Sequence, residues 1–114
     1  MAGDKKIYHT AIRAGLNYAW EGKWDKALDA YGRAVAEMPD DAAVHNHLGL
    51  AYLELGRVDE ALQAYRQASK LAPGDPAPLM RIADIHERLG QLQAAAEAYL
   101  TVGQIHRQRH AWAQ

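Results

Sequence analysis

A period of 34 residues constrains this chain more than any other feature of it: Gly15 recurs as Gly49, Tyr18 as Tyr52, Gly22 as Gly56 and Gly90, Ala27 as Ala61 and Ala95, and Tyr31 as Tyr65 and Tyr99. Asp25, Leu28, Ala34, Pro39 and Asp41 return as Asp59, Leu62, Ala68, Pro73 and Asp75. Self-similarity at a fixed spacing of this length means a stacked array, in which one supersecondary unit repeats and buries its apolar face only against its neighbours. Three units, 8–41, 42–75 and 76–109, take up almost all of the 114 residues, so one domain is expected, with 110–114 as an extension.

Each unit has the grammar of helix, tight turn, helix. In the middle one, Asp41 is placed to cap a helix that Gly56 stops, and Asp59 opens a second helix that Pro73 and Gly74 end. The expected helices are 5–21, 25–37, 42–55, 59–71, 76–89 and 91–109, the first of them capped by Asp4. Small residues (Gly49, Ala61, Ala68) fall where helices must cross closely, and His45, Leu48, Tyr52, Leu62 and Tyr65 fill the space beside them. On the first helix the apolar face is assigned to Ile7, Ala11, Ala14 and Tyr18. Trp24 aligns with Val58 and Leu92 and is expected to plug the end of the first pair. Trp20 stands where the second unit has Glu54, so the core does not require it and it marks a contact surface.

The residue inventory excludes most chemistry. Ser69 is the only serine, and Thr10 and Thr101 are the only threonines, so no nucleophilic triad can be assembled. The glycines sit at helix ends, at close crossings or singly within helices, and none forms a phosphate loop. Asp25, Asp41, Asp59 and Asp75 recur at helix starts, where capping and the helix dipole account for them. His45 and His86 fall at core positions and are expected to be packed and hydrogen-bonded, while His9 and His47 belong to the outer side of first helices. His106 and His110 have a chelating spacing, but Arg107 and Arg109 alternate with them and no third ligand is near. No enzyme, cofactor or metal site is expected. With 13 Lys and Arg against 14 Asp and Glu, the near-neutral balance argues against nucleic acid and anionic lipid as partners. Cysteine is absent, which excludes disulfides, and the stretch Met-Ala-Gly-Asp-Lys-Lys has no apolar run behind its charges; a cytoplasmic location is the expectation.

The spacing Leu48-Gly49-x-x-Tyr52, then Gly56, Ala61, Tyr65, Ala68 and Pro73, resembles the tetratricopeptide repeat, a 34-residue antiparallel helix pair. The first unit matches almost as well through Ala14-Gly15-x-x-Tyr18, Gly22, Ala27, Tyr31, Ala34 and Pro39. The third departs, with Ala83 for the first glycine, His86 for the tyrosine, Val102 for the last alanine and Arg107 where the proline would stand. The resemblance implies an all-α solenoid of antiparallel helix pairs, coiled as a right-handed superhelix whose first helices line a concave groove for a peptide or protein segment. With each unit numbered from Tyr8, Ala42 and Pro76, the inward places hold His9, Ile12, Arg13 and Leu16; Ala43, Asn46, His47 and Leu50; and Ala77, Met80, Arg81 and Asp84. The expected ligand-binding surface is thus apolar through Ile12, Leu16, Leu50 and Met80. Asn46 and His47 supply hydrogen bonds, Arg13 and Arg81 positive charge, and His9 and Asp84 complete the set.

Chaperone-binding members of the family grip a C-terminal acidic tail with basic and asparagine side chains at five repeat positions. Here those positions hold Ile12, Leu16, His47, Ala77 and Arg81, and only Arg81 keeps the required chemistry. Binding to chaperone tails is therefore not expected. The alternative function is an assembly unit that self-associates or scaffolds adjoining domains of a longer parent. Its basis is a second alignment: Val102-Gly103-x-x-His106-x-x-x-His110-x-Trp112 matches Ala14-Gly15-x-x-Tyr18-x-x-x-Gly22-x-Trp24. The last helix would then also begin a fourth unit, the chain would be a segment of a longer one, and Leu100, Ile105 and Trp112 would lose cover. A homodimer through this carboxyl-terminal helix is the corresponding expectation.

Overall fold

The computed structural model describes residues 3–113, with the side chains of Trp112 and Ala113 outside the description. Its helices are α1 (Lys5–Trp20), α2 (Trp24–Glu37), α3 (Ala42–Glu54), α4 (Val58–Leu71), α5 (Ala77–Arg88) and α6 (Leu92–Ala113). The first five agree with the expected spans to within one residue at each end. Each pair closes on itself by the same device. Gly22, Gly56 and Gly90 adopt φ of +76°, +76° and +75°, the left-handed region that a side chain disfavours. This lets the next residue's N–H (Lys23, Arg57, Gln91) donate back to the carbonyl of Tyr18, Tyr52 or His86 at 2.8 Å in every unit.

At the first helices the aspartates cap as expected. Asp4 accepts from the N–H groups of Lys6 and Ile7, Asp41 from Ala43 and Asp75 from Ala77. Asp25 and Asp59 do not cap: they lie inside the first turns of α2 and α4, whose N-cap residues Lys23 and Arg57 make no side-chain cap bond. What those two carboxylates contribute is negative charge near the positive end of the helix dipole.

α6 departs most from expectation. α2 and α4 end just before Pro39 and Pro73, whose rings cannot continue a helix, whereas the equivalent residue in the third unit, Arg107, has an N–H to give. The helix therefore runs for 22 residues, through Gly103 and Arg107 as expected, and ends at Ala113, beyond the expected end at 109. Ala95, Ala98, Val102 and Ile105 form one buried stripe at helical spacing. Ile105, expected to lose cover, is thus buried; Leu100 does stand 62% exposed, and the Trp112 side chain falls outside the described residues.

α1 packs with α2, α3 with α4 and α5 with α6, and the pairs are joined by α2 on α3 and α4 on α5. Around the first junction Tyr8, Ala27, Tyr31, Val44 and Leu48 form one apolar cluster, against which Trp24 packs as the expected plug; Ala61, Leu62, Tyr65, Ile82 and Ile85 form the second. Tyr52 touches both. The buried face of α1 is Tyr8, Ala11 and Gly15, not one that includes Ile7, which is exposed. Ile7 lies about 100° round the helix from Tyr8. Tyr8 instead carries the junction, donating its hydroxyl to Asp41 Oδ2 at 2.7 Å while Asp41 Oδ1 caps α3.

Glycine and tyrosine lock each of the first two pairs. A Cβ at Gly15 would stand 2.4 Å from the ring of Tyr31, and one at Gly49 2.7 Å from that of Tyr65. Both rings fill the space the missing methyl leaves and are 2% exposed. In the third pair Ala83 brings that methyl, and its partner Tyr99 is 44% exposed.

Candidate functional site

The outward stripes of α1, α3 and α5 carry the candidate binding residues. Asn46, His47 and Leu50 of α3 meet Ala77 and Arg81 of α5 around a pocket of about 290 Å³ whose wall is Tyr65 of α4. Ala77 and Arg81 also line a neighbouring pocket of about 410 Å³ with Met80, Asp84 and Tyr99 of α6. Because Ala77 and Arg81 belong to both, the two pockets form one cleft over the second and third units. Six of the ten candidates (Asn46, His47, Leu50, Met80, Arg81, Asp84) come together here.

The other four line neither pocket. Ile12 is half-buried and leans on the first core cluster, while His9, Arg13 and Leu16 are exposed along α1. Two residues that register counting on first helices misses are Tyr65 and Tyr99, which reach the cleft from the second helices. Tyr99 faces Ala83 where the earlier pairs have glycine, and it lies on the last helix, which only α5 covers.

His47 is not simply solvated. It is half-buried and stacks on Tyr31 of α2, ring centroids 5.2 Å apart and planes 17° from parallel. Burial pushes its pKa down, with the Asp41 carboxylate opposing in part, so the imidazole is held neutral near pH 7 as a hydrogen-bonding group. Burial raises the Tyr65 phenol, Arg81 pulling the other way. Asp84 pairs with Arg88 at 3.3 Å. Arg81 has no ion pair among the described residues, so its guanidinium is the cation the cleft offers. His45 and His86, expected in the core, are half-buried and bonded to Pro39 O (2.7 Å) and Gln91 Oε1 (2.6 Å). No helix among the described residues is long and apolar enough to cross a membrane.

An all-α stack of three helix pairs that presents a mixed apolar and cationic cleft on its first helices is a helical-repeat scaffold. Two family models, both described as tetratricopeptide repeat, match residues 12–76 and 53–114. The chain belongs to the tetratricopeptide repeat family, a family of protein-interaction scaffolds. No curated protein matches it. Among solved structures it is similar to the second tetratricopeptide domain of Spaghetti (RPAP3) bound to the HSP90 peptide SRMEEVD, at 25% identity over 89% of this chain and 94% of that one, TM-score 0.79. It is also similar in fold to MamA from Desulfovibrio magneticus RS-1 (24% identity, 89% of this chain, 57% of that one, TM-score 0.83). A third is PcrH in complex with the chaperone binding region of PopD (24%, 97% and 80%, TM-score 0.82). The chain spans little more than half of the MamA chain.

Proposed function

We propose that this chain is a protein-interaction module whose first helices hold an extended peptide or protein segment. The observation that carries the reading is the cleft over α3 and α5, where Leu50, Met80 and Tyr99 supply apolar surface beside Arg81, a cation with no ion pair among the described residues. Such a surface fits a segment that inserts aliphatic or aromatic anchors and places a carboxylate against arginine. The structural likeness to the Spaghetti domain, which is bound to an HSP90 peptide, supports peptide binding as the class of activity. The chemistry of the ligand differs: with Ile12, Leu16, His47 and Ala77 at four of the five clamp positions, a purely acidic tail finds one cation instead of a clamp.

The test replaces Leu50 with Asp and Arg81 with Glu separately, confirms by circular dichroism that helicity is kept, and measures the affinity of a partner captured by the wild type. Each variant is expected to lose more than about 1 kcal/mol, roughly fivefold or more in Kd. Unchanged affinity in both moves the binding surface elsewhere.

A second reading, self-association through α6, is favoured by its exposed Leu92, Tyr99 and Leu100. Sedimentation of the wild type beside Leu100→Glu tests it: a concentration-dependent dimer abolished by the substitution supports the interface, and a monomer at millimolar concentration removes it.

A further inference from the structure

We infer that Trp20 forms the apolar end of the groove, and that the occupant is an extended peptide with an aromatic or aliphatic side chain for Leu16 and Trp20 and a carboxylate for Arg81, an inference that rests on the groove reading above.

His9, Arg13, Leu16 and Trp20 follow one another at steps of four, three and four residues, which keeps them on one side of α1. The same stripe is Ala43, His47, Leu50 and Glu54 on α3, and Ala77, Arg81, Asp84 and Arg88 on α5. Its middle members on α3 and α5 line the cleft, so the stripe on α1 is the continuation of the cleft into the first unit. At the register of Trp20 the later units carry Glu54 and Arg88, and the array stacks without an aromatic there. Among the described residues Trp20 accordingly joins neither core cluster and is 92% exposed, whereas Trp24, at the start of α2, is packed against the core. Leu16, one turn before Trp20 on the same stripe, is also exposed. Together they make an apolar patch that folding does not explain, and a large aromatic held in water gains by covering.

At the opposite end the α5 stripe lacks such an apolar patch, and Arg13 places a cation on the α1 stripe as well. Asp84 and Arg88 neutralise each other at 3.3 Å, which leaves Arg81 to draw an anion, and the guanidinium fork fits a carboxylate. Between the two ends lie Asn46 and His47, whose polar groups suit the backbone of an extended segment. The spacing of the ligand's anchors follows from the helix geometry. Trp20 and Arg81 differ by seven places along the stripe, roughly 10 Å at 1.5 Å per residue. α3 stands between them without packing closely on α1 or α5, so they are also at least two packed-helix widths apart, roughly 16 Å or more. The diagonal then spans at least about five residues of extended chain. An apolar residue and an acid at that separation define the ligand class, distinct from a tail that is acidic throughout.

The experiment pans a random dodecapeptide display library on the full chain and measures the enriched peptides, made synthetically, against wild type, Trp20→Glu and Arg81→Glu. Trp20→Glu imports the residue that α3 carries at this register, so the array's own pattern accommodates it; circular dichroism checks that helicity is unchanged. The expected peptides carry the two anchors at the stated separation, weaken about tenfold or more with either variant, and shift the wild-type tryptophan emission to the blue on binding. Peptides weakened by Arg81→Glu but indifferent to Trp20→Glu overturn the assignment of Trp20 and leave the groove reading standing. No enrichment, or peptides indifferent to both variants, overturns both. A wild-type dimer that Trp20→Glu dissociates while peptide affinity holds gives the patch to a second copy of the chain, and also overturns the inference.

Discussion

Gly49→Ala and Gly32→Ala are the same chemical change in the interior of two helices, and they are expected to move stability in opposite directions. A methyl at Gly32 meets nothing within 4 Å. It should gain the usual advantage of alanine over glycine in a helix, about 0.5–1 kcal/mol. A methyl at Gly49 meets three atoms of the Tyr65 ring, at 2.7, 2.8 and 2.8 Å, closer than real Cβ contacts come. The ring must leave. Beside Ala83, and on the last helix, the equivalent Tyr99 is 44% exposed against 2% for Tyr65, an upper measure of how far the ring moves into water. Moving roughly two fifths of an aromatic side chain's 150–250 Å² into water costs about 1.5–2.5 kcal/mol at ~25 cal/mol per Å². That is also the usual range for overpacking a core.

Subtracting the alanine gain leaves Gly49→Ala less stable by about 1 kcal/mol, some 2 kcal/mol away from Gly32→Ala. In a chain of this size that separates their thermal midpoints by several degrees. Urea and thermal melts followed by circular dichroism read it, with midpoints compared because repeat arrays can unfold in stages. In a Tyr65→Leu background the penalty at Gly49 should largely vanish. Gly49→Ala as stable as the wild type, or penalised equally without the ring, would refute the account of the slot.

Tyr8→Phe removes the bond to Asp41 across the first junction and should cost about 1 kcal/mol at neutral pH by urea melts. The phenol of Tyr8 is raised above its ordinary value by burial and then by Asp41, and burial raises Tyr31 and Tyr65. Stability is therefore complete below the unfolded phenol value near pH 10 and falls as pH rises through the higher folded values; the loss should be shallower in Tyr8→Phe. His47 is shifted the other way, so its contribution is complete above about pH 6.5 and declines in more acid solution; His47→Gln should remove that part of the acid-side slope. Calorimetry with a chaperone tail peptide such as SRMEEVD should find no submillimolar binding; such binding would show that the five clamp positions are misassigned.

The fold was legible because its signals are local and repeated. Glycine at a left-handed turn, aspartate before a first helix and proline after a second each act over a few residues, and the period let three copies vouch for one another. What escaped was set by the absence of a signal or by packing at a distance. α6 was expected to pass Arg107, but a missing stop does not say where a helix ends, and it ends at Ala113 and not at 109. Ile7 and Tyr8 are neighbours on a helix whose rotation is fixed only when Tyr8 finds Asp41. The cleft was half legible: counting places along first helices found Asn46, His47, Leu50, Met80, Arg81 and Asp84. Tyr65 and Tyr99 lie on second helices, and their part depends on the facing residue, Gly49 or Ala83, and on the following pair that covers only Tyr65.

A repeat array separates what folding needs from what binding uses, because each register is sampled three times in one chain. Where the three copies agree, as at Gly22, Gly56 and Gly90 or Ala27, Ala61 and Ala95, the residue is explained by a turn or by a helix crossing. Where they disagree on the outward stripe, the stack is indifferent and something else has chosen the side chain. Arg13, His47 and Arg81 share one register, Leu16, Leu50 and Asp84 the next, and Trp20, Glu54 and Arg88 the last. Read across the array, the last two rows pass from apolar on α1 to charged on α5, while the first carries a cation at both ends, Arg13 and Arg81. A ligand laid across them meets a gradient of chemistry, and that gradient fixes its direction as well as its composition. Reversing such a peptide while keeping its residues should therefore abolish binding, whereas a merely sticky surface would accept either direction.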